Sequence, residues 1–297
     1  MIVRDRPSLL ELFFILRSSV LQQIWPQLVL VMALSAAIVA GHALRPGLVP
    51  ALDGMPFALV GIALSVFLGF RNSACYDRWW EARKQWGTIL SAARDLARRS
   101  LLLEARGEPG RAARRALLGR LIIFTHALEA ALRAPSPGNS PPGTAPRFPA
   151  DAQLREAGAG LADARGEGLL SDIEFSLLDA GLTELNHAAT ACERLRTTPV
   201  PFGYTLLLHR TAYLFCLLLP FGFADVLGWG TPFVTGLVAY TFFGLDALGD
   251  EMEEPFGTRP NAVPINAIAH GIELNLREAL GETDLPEPPQ PIDMILL

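Results

Sequence analysis

An uncharged run of sixteen residues, 55–70, passes directly into a stretch rich in arginine, tryptophan and glutamate, residues 71–87. The run is suited to the apolar interior of a membrane, whereas the stretch after it is suited to water or a protein interface. If both form one helix, Ile62, Val66 and Phe70 share a face at four-residue spacing. Small residues beside them allow close helix approach. The face therefore fits either tight helix packing or a ring of helices around a hydrophobic constriction.

The composition places this run in a membrane protein with a substantial water-soluble part. Hydrophobic residues make up 51% of the chain and charged residues 19%, and the mean hydropathy is +0.30. A chain wholly embedded in lipid would carry fewer charges. The net charge of −5 does not favour a nucleic-acid partner.

The cysteines predict neither a disulfide framework nor a zinc site. Cys75, Cys192 and Cys216 are odd in number and show no CxxC spacing, so we interpret them as buried thiols in a reducing compartment. The N-terminal segment lacks the short apolar core and cleavage site of a removable signal peptide.

Apolar runs predict four membrane crossings, since a crossing needs about 20 residues. The second run is shorter than that, which favours a central position surrounded by protein. The turns at 45–54 and 225–230 hold one basic residue, Arg45, whereas basic residues precede the first run and follow the second. Positive charge marks the cytoplasmic side, so both termini and residues 71–200 are predicted to be cytoplasmic. The runs are 25–44, 55–70, 202–223 and 233–248.

The soluble parts carry helical patterns with local start and stop signals. Residues 107–110 (Gly-Glu-Pro-Gly) predict a turn between two amphipathic helices. Ser171 and Glu174 have capping-box spacing and predict a helix start. Thr231 before a proline predicts another, with the threonine as the cap. A last amphipathic helix is expected over about 264–280.

These patterns predict an all-α membrane protein with four transmembrane helices and a cytosolic helical bundle. The expected segments are an N-terminal interfacial helix (1–24), a transmembrane hairpin with crossings one and two (25–70), a cytosolic helical domain (71–200) with a disordered loop at 134–150, a hairpin with crossings three and four (201–249), and a cytosolic acidic segment, helix and tail (250–297).

No segment matches a nucleotide-binding glycine loop, HExxH, GxSxG or an EF-hand. We therefore expect no enzyme activity, no cofactor and no metal site. His209 and Arg210 interrupt the third apolar run, where charges are costly. The charge is either paired with an acid of another helix, extended to the membrane interface, or directly involved in attracting ions. The acidic run 250–254 is either a calcium ligand set or an acidic helix end. Opposite charges over 77–84 are best explained by a salt-bridged helix face or a subunit interface.

Three separated motifs resemble the bestrophin family of homopentameric ion channels, and specifically its prokaryotic branch. They are FLGFRNSACYDRWWEARKQWG (67–87), DALGDEMEEPFG (246–257) and CERLRTTPVPFGYTLLLHR (192–210). The resemblance implies a pentamer around one central pore. It maps Ile62, Val66 and Phe70 onto the hydrophobic rings of the pore neck and Ile173 onto the cytosolic aperture.

One departure from the family pattern concerns calcium. In calcium-gated relatives the Pro-Phe-Gly motif is followed by a run of acids that forms a calcium clasp. Here residues 258–262 are Thr-Arg-Pro-Asn-Ala, without an acid, so clasp-type gating is not expected. The resemblance to prokaryotic members slightly favours cations over chloride.

The resulting expectation is a homopentamer that conducts monovalent ions passively through a hydrophobic neck in the bacterial inner membrane. The partners are other copies of the chain, the permeating ions and the lipid bilayer. Two alternatives stay open. A secondary transporter commonly has more crossings and an inverted repeat, neither of which is visible here. A membrane-anchored scaffold would have no pore.

Overall fold

The computed structural model describes residues 1–3, 19–45, 47, 50, 52–134 and 147–297. Within that part the protein is helical, and its only β-pairing consists of isolated bridges. The predicted interfacial helix falls largely on 4–18, outside the described residues, as does most of the predicted loop at 134–150. The helices are α1 (Leu21–Leu44), α2 (Gly54–Arg99), α3 (Leu101–Glu104), α4 (Gly107–Arg133), α5 (Pro149–Gly166), α6 (Asp172–Thr197), α7 (Phe202–Leu227), α8 (Thr231–Glu253) and α9 (Ile265–Ala279).

The described chain forms two compact units. The first, here the apolar unit, takes the described residues of 4–78 and 199–254; the second, the polar unit, takes 1–3, the described residues of 79–198, and 255–297. Helix α2 contributes to both. The sequence predicted that the apolar run and the charged stretch after it form one helix, and the 46 residues of α2 confirm this.

Among the described residues, three helical stretches are long and apolar enough to cross a membrane: Leu21–Leu44, Gly54–Glu104 and Phe202–Glu253. The third contains α7 and α8, which are joined by a 3₁₀ turn, Gly228–Gly230. The described part of the chain thus contains the helices expected of a membrane protein.

Small residues bring the helices of the apolar unit close together. A Cβ atom added at Gly61 of α2 would lie 3.1 Å from the Phe215 ring of α7, and one at Gly236 of α8 would lie 3.0 Å from Met32 of α1. A buried hydrogen bond of 2.6 Å joins the hydroxyls of Ser35 and Thr235. A buried hydroxyl left without a partner would destabilise the fold, so this bond fixes the pairing of α1 with α8.

Two predicted helix starts are corrected. The turn expected at 107–110 is the first turn of α4, and the break lies just before it. Gly107 has φ +75°, and Pro109 is tolerated because the first turn needs no backbone donor there. Thr231 does not cap α8: it is already helical, and its hydroxyl donates to the Phe223 carbonyl at 3.3 Å.

The polar unit has a core built from α2, α4, α5, α6 and α9. Trp86, Phe124 and Leu185 are fully buried in it. The periodic apolar faces predicted for α4 and α6 are buried as expected, and the capping box at Ser171 and Glu174 is present. The ends of the chain meet in this unit, where the Met1 amino group donates to the Leu296 carbonyl.

Candidate functional site

Helix α2 carries two different faces along its apolar half. Ile62, Val66 and Phe70 are 64%, 50% and 64% exposed in a single subunit. Leu64 and Leu68 are buried on the other side. At roughly 100° per residue the two faces point about 180° apart. One side of α2 is thus packed into its own subunit, while the three predicted neck residues stand free of it.

Arg71, the residue after Phe70, is fully buried and bound to α8. Its Nη1 donates to the Asp246 carboxylate at 3.0 Å and to the Asp246 carbonyl at 3.2 Å. Its Nη2 donates to Asp250 and, at 3.2 Å, to Glu253. A buried charge needs such partners, because an unpaired one is strongly destabilising. Arg71 thus ties the Phe70 end of the apolar run to α8.

Asp246 is shared between this arginine and His209. It is 5% exposed, and its second carboxylate oxygen lies 2.7 Å from His209 Nδ1. The ring of His209 packs against Tyr213 at a centroid distance of 4.4 Å. Of the interpretations left open for His209, the structure therefore supports a paired role. Arg210, by contrast, is exposed and makes no ion pair with the described residues.

Two further acids of the run, Glu251 and Glu253, also contact protein groups. Glu251 is 2% exposed and accepts a hydrogen bond from the Gln23 side chain. Arg78 donates to the Glu253 carbonyl at 3.3 Å. Among the described residues, no three side chains of His, Cys, Asp or Glu lie close enough together to hold a metal ion. The run acts here as the acidic end of α8, facing an arginine.

The segment after Pro-Phe-Gly folds back on itself. The Val263 amide donates to the Pro255 carbonyl at 2.8 Å. The indole of Trp79 donates to the Asn261 carbonyl, also at 2.8 Å. Ala262 and Val263 are fully buried. The position where the resemblance places the acids of calcium-gated relatives is therefore occupied by a closed turn without a carboxylate.

Ile173, the predicted aperture residue, lies in the first turn of α6 and is 75% exposed. The capping box fixes that turn: the Ser171 hydroxyl accepts from the Glu174 amide at 3.3 Å, and the Glu174 carboxylate accepts from the Ser171 amide at 2.8 Å. These hydrogen bonds, first that from the Ser171 backbone, lower the pKa of Glu174; Arg106 lowers it further. The helix start that presents Ile173 is thus well defined.

The sequence analysis did not single out the arginine–carboxylate cluster. It used Arg71 as one of the basic residues that mark the membrane side and as part of a family motif, and it treated the acidic run as either a calcium site or an acidic helix end. A signal was available, however. Asp246, Asp250 and Glu253 are spaced four and three residues apart, so they share one helix face. Three acids on one face of an otherwise apolar helix indicate a basic partner.

Comparison with known proteins identifies the family. The family model for bacterial and fungal bestrophin proteins matches residues 1–278. The voltage-dependent anion channel-forming protein mll4386 of Mesorhizobium japonicum is 44% identical over 95% of this chain and 93% of its own length. The voltage-dependent anion channel-forming protein YneE of Escherichia coli K12 is 38% identical over 96% of each chain.

A solved structure supports the same assignment. The crystal structure of a bacterial bestrophin homolog from Klebsiella pneumoniae is 40% identical and superposes with a TM-score of 0.80, covering 87% of this chain and 99% of that one. The predicted resemblance to prokaryotic bestrophins is confirmed. The chain belongs to the bacterial and fungal bestrophin family, and it is a membrane channel protein rather than an enzyme.

Proposed function

We propose that the chain forms a homopentamer in the bacterial inner membrane and conducts monovalent ions passively through a central neck lined by Ile62, Val66 and Phe70. One observation carries the proposal. These three side chains are at least half exposed on one face of α2, while the opposite face is buried in the same subunit. Five copies of that face around an axis would form three stacked apolar rings.

Such rings conduct or block ions by their width and wetting. Isoleucine, valine and phenylalanine offer no oxygen that could replace the water around an ion, so a narrow ring of them excludes ions until it widens or fills with water. The exposed Ile173 would form a second apolar ring at the cytosolic aperture. Widening the neck should then remove the barrier without new chemistry.

The proposed topology has four crossings in two hairpins, with both termini in the cytoplasm. The crossings are α1, the apolar half of α2, α7 and α8. The basic residues that follow the second crossing support this orientation, since positive charge favours the cytoplasmic side. The polar unit, including residues 79–134, then lies in the cytoplasm.

Two observations point to different ion selectivities of the pore. The resemblance to prokaryotic members slightly favours cations, whereas the printed names of the relatives describe anion channels. A hydrophobic neck discriminates weakly by charge, so the preference must come from charged groups elsewhere along the path. The reversal potential in asymmetric KCl decides between them, because its sign depends on which ion carries the current.

The neck is tested by replacing Ile62, Val66 and Phe70 together with alanine in protein reconstituted into planar bilayers. Single-channel conductance is expected to rise several-fold, because the apolar barrier widens. The matched control replaces three exposed apolar residues of α7, Leu207, Leu214 and Leu218, and should leave the conductance unchanged. Equal conductance in the wild type and the neck variant would reject the assignment.

Calcium gating of the clasp type is not expected, because the turn after Pro-Phe-Gly carries no acid. Of the acids before it, Asp250 and Glu253 bind Arg71, and Glu251 is buried. Currents in a calcium chelator and in about 1 mM calcium should be equal. A calcium-dependent open probability would contradict this prediction.

The purified and reconstituted protein also distinguishes a channel from a secondary transporter and from a scaffold. A pentamer of 32.2 kDa subunits has a protein mass of about 161 kDa, five times that value, which native mass measurement in detergent can detect. Flux that saturates and requires a counter-ion would indicate a secondary transporter. A folded protein without any flux would indicate a scaffold.

A further inference from the structure

The Arg71 cluster lies beside the proposed neck but on the other side of the helix. Phe70 faces out of the subunit with 64% of its surface exposed, while Arg71 is 0% exposed. The guanidinium reaches three carboxylates of one neighbouring helix, α8. Phe70 and Arg71 are therefore adjacent in sequence but point about 100° apart around α2, one out of the subunit and the other into it.

The geometry of the cluster restricts rotation of α2 about its own axis. Its acids, Asp246, Asp250 and Glu253, follow one face of α8, and the two terminal nitrogens of Arg71 bind different members of that set. A planar guanidinium held at two nitrogens fixes direction as well as distance. Rotation of α2 about its axis would break several of these charge-assisted hydrogen bonds together.

A glycine on α8 makes room for this arrangement. A Cβ atom at Gly249 would lie 2.9 Å from Arg71 Nη1 and 2.6 Å from the side-chain oxygen of Asn72. Both distances are shorter than real Cβ contacts, so any larger residue at this position would push the guanidinium away. Helices α2 and α8 thus approach closely beside Arg71, the residue that directly follows the proposed neck.

We propose that Arg71 is the positioning residue of the neck: by binding the acids of α8 it sets the rotation of α2, and thereby holds Ile62, Val66 and Phe70 toward the pore axis. This inference rests on the proposed function. Arg71 does not contact permeating ions, because it is fully buried in its own subunit. It acts on conduction only through the apolar side chains on the opposite face.

The experiment uses four full-length proteins in planar bilayers: the wild type, Arg71→Lys, the neck triple alanine variant, and the two changes combined. Lysine keeps the charge but not the two-pronged binding. With α2 less firmly held, the apolar rings of the wild-type neck should seal less well, and Arg71→Lys should raise the open probability about tenfold, within the range of coupled neighbouring residues. Arg98→Lys, at an exposed arginine farther along α2, is the matched control and should have no effect.

Two readouts distinguish positioning from other roles. In the triple alanine neck, Arg71→Lys should change the open probability less than twofold, because the rings through which it acts are gone. The reversal potential should be the same in all four proteins. An equal effect of Arg71→Lys in both neck backgrounds, no effect in the wild-type neck, or a shifted reversal potential would each overturn the proposal.

Failure of the inference is separable from failure of the proposed function. If the triple alanine variant conducts like the wild type, the neck itself is wrongly assigned and the inference is overturned with it. If that variant conducts more but Arg71→Lys does nothing, only the inference is overturned. Should Arg71→Lys not assemble, Asp246→Asn replaces it with the same expected pattern, because it weakens the same cluster while keeping a hydrogen-bond acceptor.

Discussion

The three cysteine side chains are fully buried in the described structure. Cys75, Cys192 and Cys216 have no exposed surface. Burial raises the pKa of the Cys192 thiol to about 12, so at pH 8 only about one molecule in ten thousand carries the reactive thiolate. We predict that no native cysteine reacts with a maleimide in the folded protein at pH 7.5, whereas all three react in denaturant.

A cysteine introduced at exposed Arg98 serves as the positive control and should react within minutes. Rapid modification of a native cysteine in the folded channel would show that the surrounding helices open to solvent.

The Ser171 cap supports a second residue-scale prediction, which concerns the turn that presents Ile173. Ser171→Ala removes the hydroxyl that accepts from the Glu174 amide, and losing such a cap costs about 1 kcal/mol. The midpoint of thermal unfolding should fall by a few degrees. Ser176→Ala, at an exposed serine of the same helix, is the control and should leave the midpoint unchanged; an equal shift in both variants would contradict the capping role.

Lowering the pH should also weaken the helix start at Ser171. Hydrogen bonds from Ser171 lower the pKa of Glu174 in the folded protein, so the stabilisation they give is present above the unfolded pKa of about 4.3 and is lost as the pH falls below it. The difference in unfolding midpoint between the wild type and Ser171→Ala should therefore shrink in acid. A constant difference down to pH 3 would contradict the linkage.

Single residues also show where sequence reasoning stops. The capping box at Ser171 was predictable because its partners are three residues apart. The binding of Arg71 to Asp246 was not predicted, because the partners are separated by 175 positions and no local pattern joins them. The helical spacing of the three acids predicts that they share a partner, but it does not identify which arginine that partner is.

Packing of α6 against α2 in the polar unit depends on one glycine. A Cβ atom at Gly181 would lie 2.7 Å from a methyl carbon of Leu96, a fully buried side chain. We predict that Gly181→Ala destabilises the protein by about 1–3 kcal/mol through overpacking. The measurement is thermal unfolding of the purified protein.

A matched substitution separates packing from helix propensity. Gly160 lies in α5 with open space around its Cα, so Gly160→Ala should be neutral or stabilising by up to about 1 kcal/mol. If both glycine variants changed stability in the same way, close approach at Gly181 would not be the cause.

Helix identity was more predictable than helix ends. The apolar periodicity of α4 and α6 reflects burial in a common core, and that pattern is local to each helix. The beginnings of α4 and α8 were misjudged because glycine, proline and threonine fit both a turn and a first helical turn. Tertiary contacts decide between these options, as when the Thr231 hydroxyl donates to Phe223 instead of capping its own helix.

The two ends of the chain restrict the topology of the whole molecule. The Met1 amino group donates to the Leu296 carbonyl, Ile2 pairs with Ile295, and the Ala267 amide donates to the Leu297 carbonyl. In a membrane, ends that bind each other would lie on the same side, which corresponds to an even number of crossings. This supports the proposed four crossings.

The last prediction follows from that parity and from the burial of the native cysteines. Single cysteines are introduced at Asp53 and Val226, in the proposed periplasmic turns, and at Arg98 and Glu287, in the proposed cytoplasmic parts; all four positions are exposed. A membrane-impermeant maleimide should label the first pair only in right-side-out vesicles, and the second pair only in inside-out vesicles. The native cysteines need no removal, since they do not react while the protein is folded. Labelling of Asp53→Cys and Arg98→Cys from the same side would mean that α2 does not cross the membrane, and the neck would then lose its location.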